Sequence, residues 1–332
     1  MEKQIQKPLG VIDALYGGFE LVINRPWILV IPVLLDMFLW LGPRLTAAPI
    51  FQQFVAMVAA NQPPNATPEM IQNLDAAKQA WLAAGDKFNL FAVLAFAAIG
   101  MPSLIGADAP AVSIFHALPP GYSVSDSVPF LGFIALLIVV GVLFGTVYLE
   151  LIAQGIRREP SNPGVFALRA LKSYVTVGVL IVFAVVGSLI ALIPFGLGAA
   201  VAALFDQSVA SFLLLLGLML LMWAALYLSF SIPAIFVSGA NAWQAVVSSV
   251  AVFRYNFWSA IGLLFLIILI ERGFQVIWQL FLASVWGVVT ADLANAFLGS
   301  ALIAGTMLFY NDRFTFLMRV REHLRQQQQK LG

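Results

Sequence analysis

Six apolar stretches, each about as long as the hydrocarbon layer of a membrane is thick, constrain this chain more than any motif in it. A helix needs roughly 20 apolar residues to cross about 30 Å of hydrocarbon. The stretches begin at about residues 27, 129, 174, 209, 257 and 293. Hydrophobic residues make up 61% of the 332 residues and charged residues only 10%, whereas soluble domains carry roughly 25% charged residues. The sequence predicts an all-α fold, a polytopic membrane helical bundle with six transmembrane helices.

The basic residues predict the orientation of the spans, because short cytoplasmic loops carry an excess of Lys and Arg. With both termini in the cytoplasm, only Arg44, Lys78 and Lys87 of the 17 basic residues fall outside, and Arg272 lies within a span. The other 13 are cytoplasmic: Lys3, Lys7, Arg25, Arg157, Arg158, Arg169, Lys172, Arg254, Arg313, Arg319, Arg321, Arg325 and Lys330. The distribution therefore predicts that the N-terminus and the C-terminus are cytoplasmic.

The spans divide the chain into five regions. They are a cytoplasmic interfacial helix (1–26), the first span (27–45), an extracytoplasmic helical region (46–128), the bundle of the other five spans (129–310) and a basic cytoplasmic tail (311–332). In the outer region, a helix is predicted from an N-cap at Thr67. Residues 89–105 are apolar enough for a seventh span, but that span would move Arg157 and Arg158 to the outer side. We expect a re-entrant or interfacial helix there instead.

An amphipathic helix before a span occurs more than once in the sequence. "PLGVIDALYGGFELVIN" precedes the first span and "NAWQAVVSSVAVFRYNFW" precedes the fifth, and the two align without a gap when Trp27 is placed on Trp258. A segment before the third span, "PGVFALRALKSYV", is predicted to be a shortened third copy. Such helices lie in the membrane interface with their apolar faces buried. The alternative is that membrane proteins in general place amphipathic segments at their interfaces.

This layout resembles that of the bacterial YciC-like multi-pass inner-membrane proteins. The residues that carry the resemblance are the interfacial helices leading into "NRPWILVIPVL" and "YNFWSAIGLLF", and the ending "FYNDRF" after the sixth span. The layout is also similar to that of the membrane domain attached to some bacterial glycerophosphodiester phosphodiesterases. The resemblance implies the bacterial plasma (inner) membrane. It implies no activity, because the YciC-like families have no established one and the phosphodiesterase catalytic domain is absent here.

The sequence lacks the residues and motifs that most catalytic mechanisms need. The chain has no Cys and only two His, His116 and His323, which excludes thiolate metal sites and cysteine nucleophiles and leaves no spacing typical of a metal site. Neither a Walker-type glycine loop nor an HExxH motif occurs. With a formal net charge of +1, the chain also lacks the concentrated basic face of a nucleic-acid-binding protein. We expect a non-enzymatic protein without a cofactor.

A few polar residues interrupt the apolar spans. Asp36 lies near the middle of the first span, and Glu271, Arg272, Gln275 and Gln279 lie in the outer half of the fifth. Glu271, Gln275 and Gln279 recur every four residues, so they form one stripe on a helix. The stripe is predicted to form an internal hydrogen-bond network, a solute or proton path, or a partner surface. Because Asp36 and Arg272 differ by about 7.5 Å in depth, we expect them to share a contact or a network.

Other residues indicate packing and membrane-surface contacts. Gly141 and Gly145 form a GxxxG pair in the second span, and such small faces let helices approach closely. The sixth span carries small residues every four positions, and the tail carries basic residues that an anionic leaflet attracts. The predicted packing residues of the sixth span are Ala296, Ser300 and Ala304, and the predicted surface-binding residues are Arg313, Arg319, Arg321 and Arg325. The glutamine run that follows is predicted to be disordered.

Two functions from different classes are compatible with these features. The first is a non-catalytic integral membrane protein, an accessory subunit or membrane organiser in a membrane protein complex, whose partners are the lipid bilayer and other membrane protein subunits. The second is a multi-pass transporter or channel with a polar path lined by Asp36, Glu271, Gln275 and Gln279.

Overall fold

The computed structural model describes residues 8–60, 68–87, 89–97, 99–106, 121–160 and 162–331. The regular structure of these residues is helical apart from two short strands. The elements in chain order are α1 (Val11–Asn24), α2 (Val30–Leu41), β1 (Arg44–Thr46), α3 (Ala48–Ala60), α4 (Pro68–Lys87), α5 (Val93–Ala97), β2 (Gly121–Ser123), α6 (Ser127–Arg157), α7 (Pro163–Ala202), α8 (Gln207–Leu228), α9 (Ser231–Ser238), α10 (Ala242–Tyr255), α11 (Phe257–Phe281) and α12 (Val285–Leu331). The predicted all-α helical bundle is confirmed.

Five stretches of the described chain are helical, long and apolar enough to cross a membrane, namely α6, α7, α8 continued by α9, α11 and α12. A sixth is formed if α1 and the helical residues Pro26–Leu41, which are bent by 91° relative to each other, count as one broken span. The protein is therefore a multi-pass membrane protein. The first span ends at Leu41 and not at residue 45, since Gly42 is extended and Arg44–Thr46 form β1.

The chain folds as two units. The first unit comprises Met1–Ile28, Thr146–Glu271 and Ser300–Gly332, and the second comprises Leu29–Gly145 and Arg272–Gly299. Each unit is built from segments that are distant in sequence, so each depends on contacts that local sequence patterns do not encode.

In the first unit, α1 packs closely on α12. A Cβ atom on Gly18 would lie 2.5 Å from the backbone nitrogen of Gly305 and would also collide with the carbonyl oxygen of Ala301. The start of α1 is held by two hydrogen bonds, from the Leu9 amide to Asp312 Oδ2 (2.7 Å) and from Arg313 to the Leu9 carbonyl (2.8 Å). Glycine is thus required where the two helices meet.

The structure supports the predicted relation between the N-terminal helix and the helix before the fifth span. Both α1 and α10 have 14 residues, and a single residue, Arg25 or Asn256, separates each from the next helical segment. With Trp27 placed on Trp258, the ends of the two helices coincide. Their buried residues coincide as well, since Ala14 aligns with Ala245 and Gly18 aligns with Ser249, and all four are buried.

The predicted third copy of this helix is wrong, because no break separates it from its span. Asn162 caps the helix by accepting from the amides of Gly164 and Val165, and Pro163 occupies the first helical position. From there α7 runs for 40 residues to Ala202. A residue comparable to Arg25 or Asn256, at which a helix ends before the span begins, is missing between Pro163 and Ala202.

The predicted disordered tail is also wrong within the described residues. α12 has 47 residues and includes the glutamine run up to Leu331. At 1.5 Å per residue its length is about 70 Å, more than twice the thickness of the hydrocarbon layer. Part of this helix therefore lies outside the membrane.

In the second unit, the outer region contains two short strands and helix α3, which the sequence did not predict. β1 and β2 pair in parallel, with Leu45 opposite Tyr122. Phe51 and Phe54 of α3 pack on Trp81 of α4. The predicted N-cap Thr67 lies outside the described residues.

The predicted helix over residues 89–105 is much shorter in the structure. Among the described residues of this range, Val93–Ala97 are α-helical, after a 3-10 turn at Leu90–Ala92. Asn89 fixes this turn by accepting from the amides of Phe91 and Leu45 through its side chain. A helix of five residues cannot cross a membrane, which excludes the seventh span.

The close approach of α1 and α12 gives a testable prediction. Gly18→Ala places a methyl group against the backbone of Gly305, and overpacking of this kind destabilises by about 1–3 kcal/mol. We expect a lower melting temperature in detergent micelles, measured by circular dichroism. Gly178→Ala in α7 is the control, because no atom lies within 4 Å of its Cβ position. Equal melting temperatures for the two variants would contradict the tight contact.

Candidate functional site

Asp36 is the centre of a buried polar cluster in the second unit. Its side chain is only 1% exposed. One carboxylate oxygen accepts from the Ser103 hydroxyl, and the other accepts from the backbone amides of Leu104 (2.6 Å) and Ile105 (3.4 Å). Backbone amides and hydroxyl groups in the protein interior are costly unless an acceptor binds them. Asp36 therefore anchors the non-helical segment 101–106 to the middle of α2.

Local sequence explains why segment 101–106 can present these donors. Ser103 closes a turn by accepting from the amide of Gly106 (3.0 Å), so the amides of Leu104 and Ile105 stay free for Asp36. Pro102 packs on Gly299 of α12, where the Pro102 Cγ atom lies 3.0 Å from the position that a Cβ atom would occupy. The small residue at 299 lets the segment lie directly on the helix.

Asp292 is the second carboxyl group of the cluster. It belongs to α12, is 1% exposed and lies beside the Asp36 carboxyl group. Neither of its oxygens has a hydrogen-bond partner among the described residues at ordinary distances. Two carboxyl groups in apolar surroundings repel each other when both are ionised.

The burial of Asp292 differs from the sequence prediction. The sixth span is predicted to begin at about residue 293, which leaves Asp292 outside it. α12 begins at Val285, so Asp292 lies in its third turn. The signal was present in the sequence, because Asp292 extends the four-residue spacing of Ala296, Ser300 and Ala304 by one further step. These three residues are buried, and residues four apart share a helix face.

The predicted contact between Asp36 and Arg272 is wrong. The partners of Asp36 are Ser103, Leu104, Ile105 and Asp292. Arg272 is exposed and donates to Gln275 (3.1 Å) on the next turn of α11. No ion pair joins Asp36 to Arg272 in the part of the chain that the structure describes. A depth difference of about 7.5 Å is compatible with a contact. The donors of segment 101–106 bind the carboxylate instead.

The polar stripe of α11 lies on the surface of the chain. Glu271 and Gln279 are exposed and Gln275 is half-buried. Gln275 accepts a hydrogen bond from Arg272, and the predicted network, polar path or partner surface on this stripe stays a prediction. Its neighbours on α11 are exposed too, with Val276 at 65% and Leu280 at 77%. The stripe is therefore accessible to lipid or to another protein.

A separate ionic cluster lies in the first unit, where α6 ends. Glu150 is 1% exposed and pairs with Arg157, which also donates to the carbonyl of Phe236. Glu159 lies 3.3 Å from Arg157 and pairs with Arg169 as well. Partial burial of Glu159 opposes its ionisation, but the hydrogen bonds and charges of Arg169 and Arg157 outweigh it and lower its pKa. The cluster ties α6, α7 and α9 together by charge.

The predicted packing glycines of α6 are buried in the second unit. A Cβ atom on Gly141 would lie 2.8 Å from the carbonyl oxygen of Leu94 and 2.7 Å from the Cβ atom of Ala97. Gly145 is buried one turn further along. In the first unit, Ser300 has a polar role besides packing, since it accepts a hydrogen bond from Tyr148 (2.8 Å).

Of the four predicted surface-binding arginines, Arg313 has a different role. It is half-buried, donates to the Leu9 carbonyl and lies over the Phe309 ring at 5.1 Å. Its guanidinium group is therefore part of the fold. Arg319, Arg321 and Arg325 are exposed on α12, where they are free to meet a membrane surface.

Comparisons with protein-family models, with curated proteins and with solved structures found no match. The resemblance to the YciC-like layout therefore rests on the sequence segments named above. Among the described residues, no group of three or more His, Cys, Asp or Glu side chains is placed to hold a metal ion. The geometry of the Asp36 cluster is that of a carboxylate that clamps an irregular segment by hydrogen bonds.

The asymmetry between the two carboxyl groups gives a testable prediction. Asp36→Leu leaves the Ser103 hydroxyl and the Leu104 and Ile105 amides without their acceptor, at about 1–3 kcal/mol for each buried unpaired group. Asp292→Leu removes oxygens that accept no such bond. We expect the first substitution to lower the melting temperature in micelles clearly more than the second. A larger loss for Asp292→Leu would show that Asp36 is not the anchor.

Proposed function

We propose that this protein is a non-catalytic accessory subunit of a membrane protein complex, and that the polar stripe of α11 binds a membrane-spanning helix of its partner. The observation that carries the proposal is the polar stripe itself, which lies at the surface of a helix long and apolar enough to cross a membrane. Ionisable residues in membrane spans almost always face a protein interior or an aqueous cavity. The polar stripe of α11 lies on the surface of its own chain, with Gln279 exposed and Gln275 half-buried, which favours a partner.

The depth of the stripe supports this proposal. Glu271 lies 14 residues after the start of α11 at Phe257, or about 21 Å along the helix axis, and Gln275 lies about 27 Å along it. Both positions fall within about 30 Å of hydrocarbon when the helix crosses it steeply. Charged side chains inside the hydrocarbon are costly without polar neighbours, and amide side chains gain hydrogen bonds across helix interfaces. A partner helix would offset that cost.

The absence of cysteine makes a site-specific crosslinking test direct. Gln275→Cys, labelled with a benzophenone maleimide in native membranes and irradiated, is expected to give a discrete adduct because the label lies in the stripe. Ile277→Cys, on the opposite side of α11 and 42% exposed, is the matched control and should give none. Adding Gln279→Leu, at an exposed position of the stripe, should weaken the adduct without lowering the melting temperature. Equal adducts from positions 275 and 277 would refute a specific partner surface.

We further propose that the membrane is the bacterial inner membrane and that both termini are cytoplasmic. The distribution of the basic residues supports this orientation. Gln79→Cys on exposed α4 should then react with a membrane-impermeant maleimide added to intact spheroplasts, whereas Gln328→Cys on α12 should react only after lysis. The reverse pattern would overturn the orientation.

A second candidate function is proton-linked transport, and one observation favours it: the carboxyl group of Asp292 is buried beside Asp36 without a hydrogen-bond donor. Such a pair could take up and release a proton while segment 101–106 changes its contacts. Proteoliposomes that contain the purified protein would show proton flux by quenching of a pH-sensitive dye. Flux that Asp292→Asn abolishes would favour this function over the accessory role, and no flux would rule it out.

A further inference from the structure

An apolar groove lies in the first unit between α10 and the C-terminal part of α12. Its volume is about 680 Å³, within the range of roughly 300–1,000 Å³ of small-molecule pockets. The α10 side presents one residue per turn on a single face: Trp243, Val247, Ala251 and Tyr255. The α12 side presents residues three or four positions apart: Phe314, Leu317, Arg321 and Leu324. Two helix faces thus enclose one continuous apolar space.

The position of the groove along α12 sets the kind of surroundings it has. Asp312 and Arg313, which bind the start of α1, precede the groove residues of α12. Phe314 lies 29 residues after the start of this helix at Val285, or about 44 Å along its axis. About 30 Å of hydrocarbon is therefore already crossed before the groove begins. The groove lies at the headgroup level or beyond it, where an uncovered apolar surface of this size is unfavourable.

The rim of the groove has the features of a membrane interface. Trp243 and Tyr255 are 69% and 68% exposed, and these two residue types are enriched at headgroup level because one end of each ring is polar. α10 also carries Gln244 and Ser248 along the groove. A ligand that enters from the leaflet would therefore meet aromatic rings first and the apolar interior next.

Arg321 gives the groove its charge. It is the charged residue among the described residues that line the groove, and it is exposed. Its guanidinium group can donate two parallel hydrogen bonds to a phosphate. Arg325 follows one turn later on the same face of α12 and is exposed as well, so a second positive charge adds to the attraction for an anion.

We propose that this groove binds one anionic phospholipid of the adjoining leaflet, with an acyl chain between α10 and α12 and its phosphate at Arg321. The apolar lining accounts for the chain, and the single charged residue at the groove accounts for the headgroup. The site is independent of the partner surface on α11, because none of its residues belongs to that helix. An acidic amphipathic helix of a partner protein is the competing occupant, and it would need no phosphate.

Native mass spectrometry of the full-length protein can test the proposal by titration with phosphatidylglycerol or phosphatidylcholine in micelles. We expect the wild-type protein to retain phosphatidylglycerol in preference to phosphatidylcholine. Arg321→Gln should weaken the binding of phosphatidylglycerol about five-fold, the effect expected of one basic residue near an anionic lipid. Arg319→Gln, two positions away on the opposite face of α12, is the matched control and should bind as the wild-type does.

A second pair of variants tests the acyl-chain site. Ala251→Trp fills the groove and should prevent retention of either lipid, whereas Val250→Trp, next to it but outside the lining, should not. Equal effects of Arg321→Gln and Arg319→Gln would overturn the headgroup assignment. Unchanged lipid retention in Ala251→Trp would overturn the groove itself, and Arg321→Gln keeps the test decisive if Ala251→Trp fails to fold, because Arg321 is exposed. A wild-type protein that retains neither lipid would refute the proposal in favour of a protein occupant.

Discussion

The second unit depends on the acceptor that Asp36 supplies in the middle of α2. A non-helical segment placed against apolar spans leaves backbone amides that water cannot reach, and each such group is costly unless something accepts its proton. Asp36 accepts from two consecutive amides and from the Ser103 hydroxyl. This accounts for a carboxylate in an otherwise apolar span, because a neutral residue would offer fewer acceptor positions to three converging donors. The carboxylate therefore has a structural role whether or not it also has a chemical one.

Small residues complement this polar anchor wherever the backbone of one element lies against another. Gly299 accommodates Pro102 of the anchored segment, and Gly141 accommodates the backbone at Leu94. In the first unit, Gly18 and Gly305 do the same for α1 and α12. Without a hydrophobic driving force between helices in lipid, close contact of this kind supplies much of the packing energy. Polar anchors determine which segments meet, and glycines determine how closely they approach.

The class of the fold could be predicted from sequence because hydropathy and length are local properties. Six apolar stretches and the two 14-residue helices before Trp27 and Trp258 needed no knowledge of tertiary contacts. A helix lies at each stretch, but α7 and α12 begin 11 and 8 residues before the predicted spans. Segment 89–105 could not be predicted in the same way. Its composition suits a helix, but the side chain of Asn89 and the acceptors of Asp36 stabilise turns instead. Asn89 binds Leu45, 44 residues away, and Leu104 binds Asp36, 68 residues away. Contacts over such separations cannot be predicted from local composition.

The candidate site shows the same division between local and distant information. Asp36 stood out in the sequence because it interrupts an apolar run, but its partner could not be found from charge alone, since backbone amides carry no sign in a sequence. The burial of Asp292 was easier to predict, because Asp292 continues the four-residue spacing of a buried helix face. Extending a small-residue stripe by one turn in each direction before drawing a span boundary would have placed this carboxyl group inside. In a membrane protein, the position at which a polar residue joins a packing stripe is therefore more informative than its distance from the end of the apolar run.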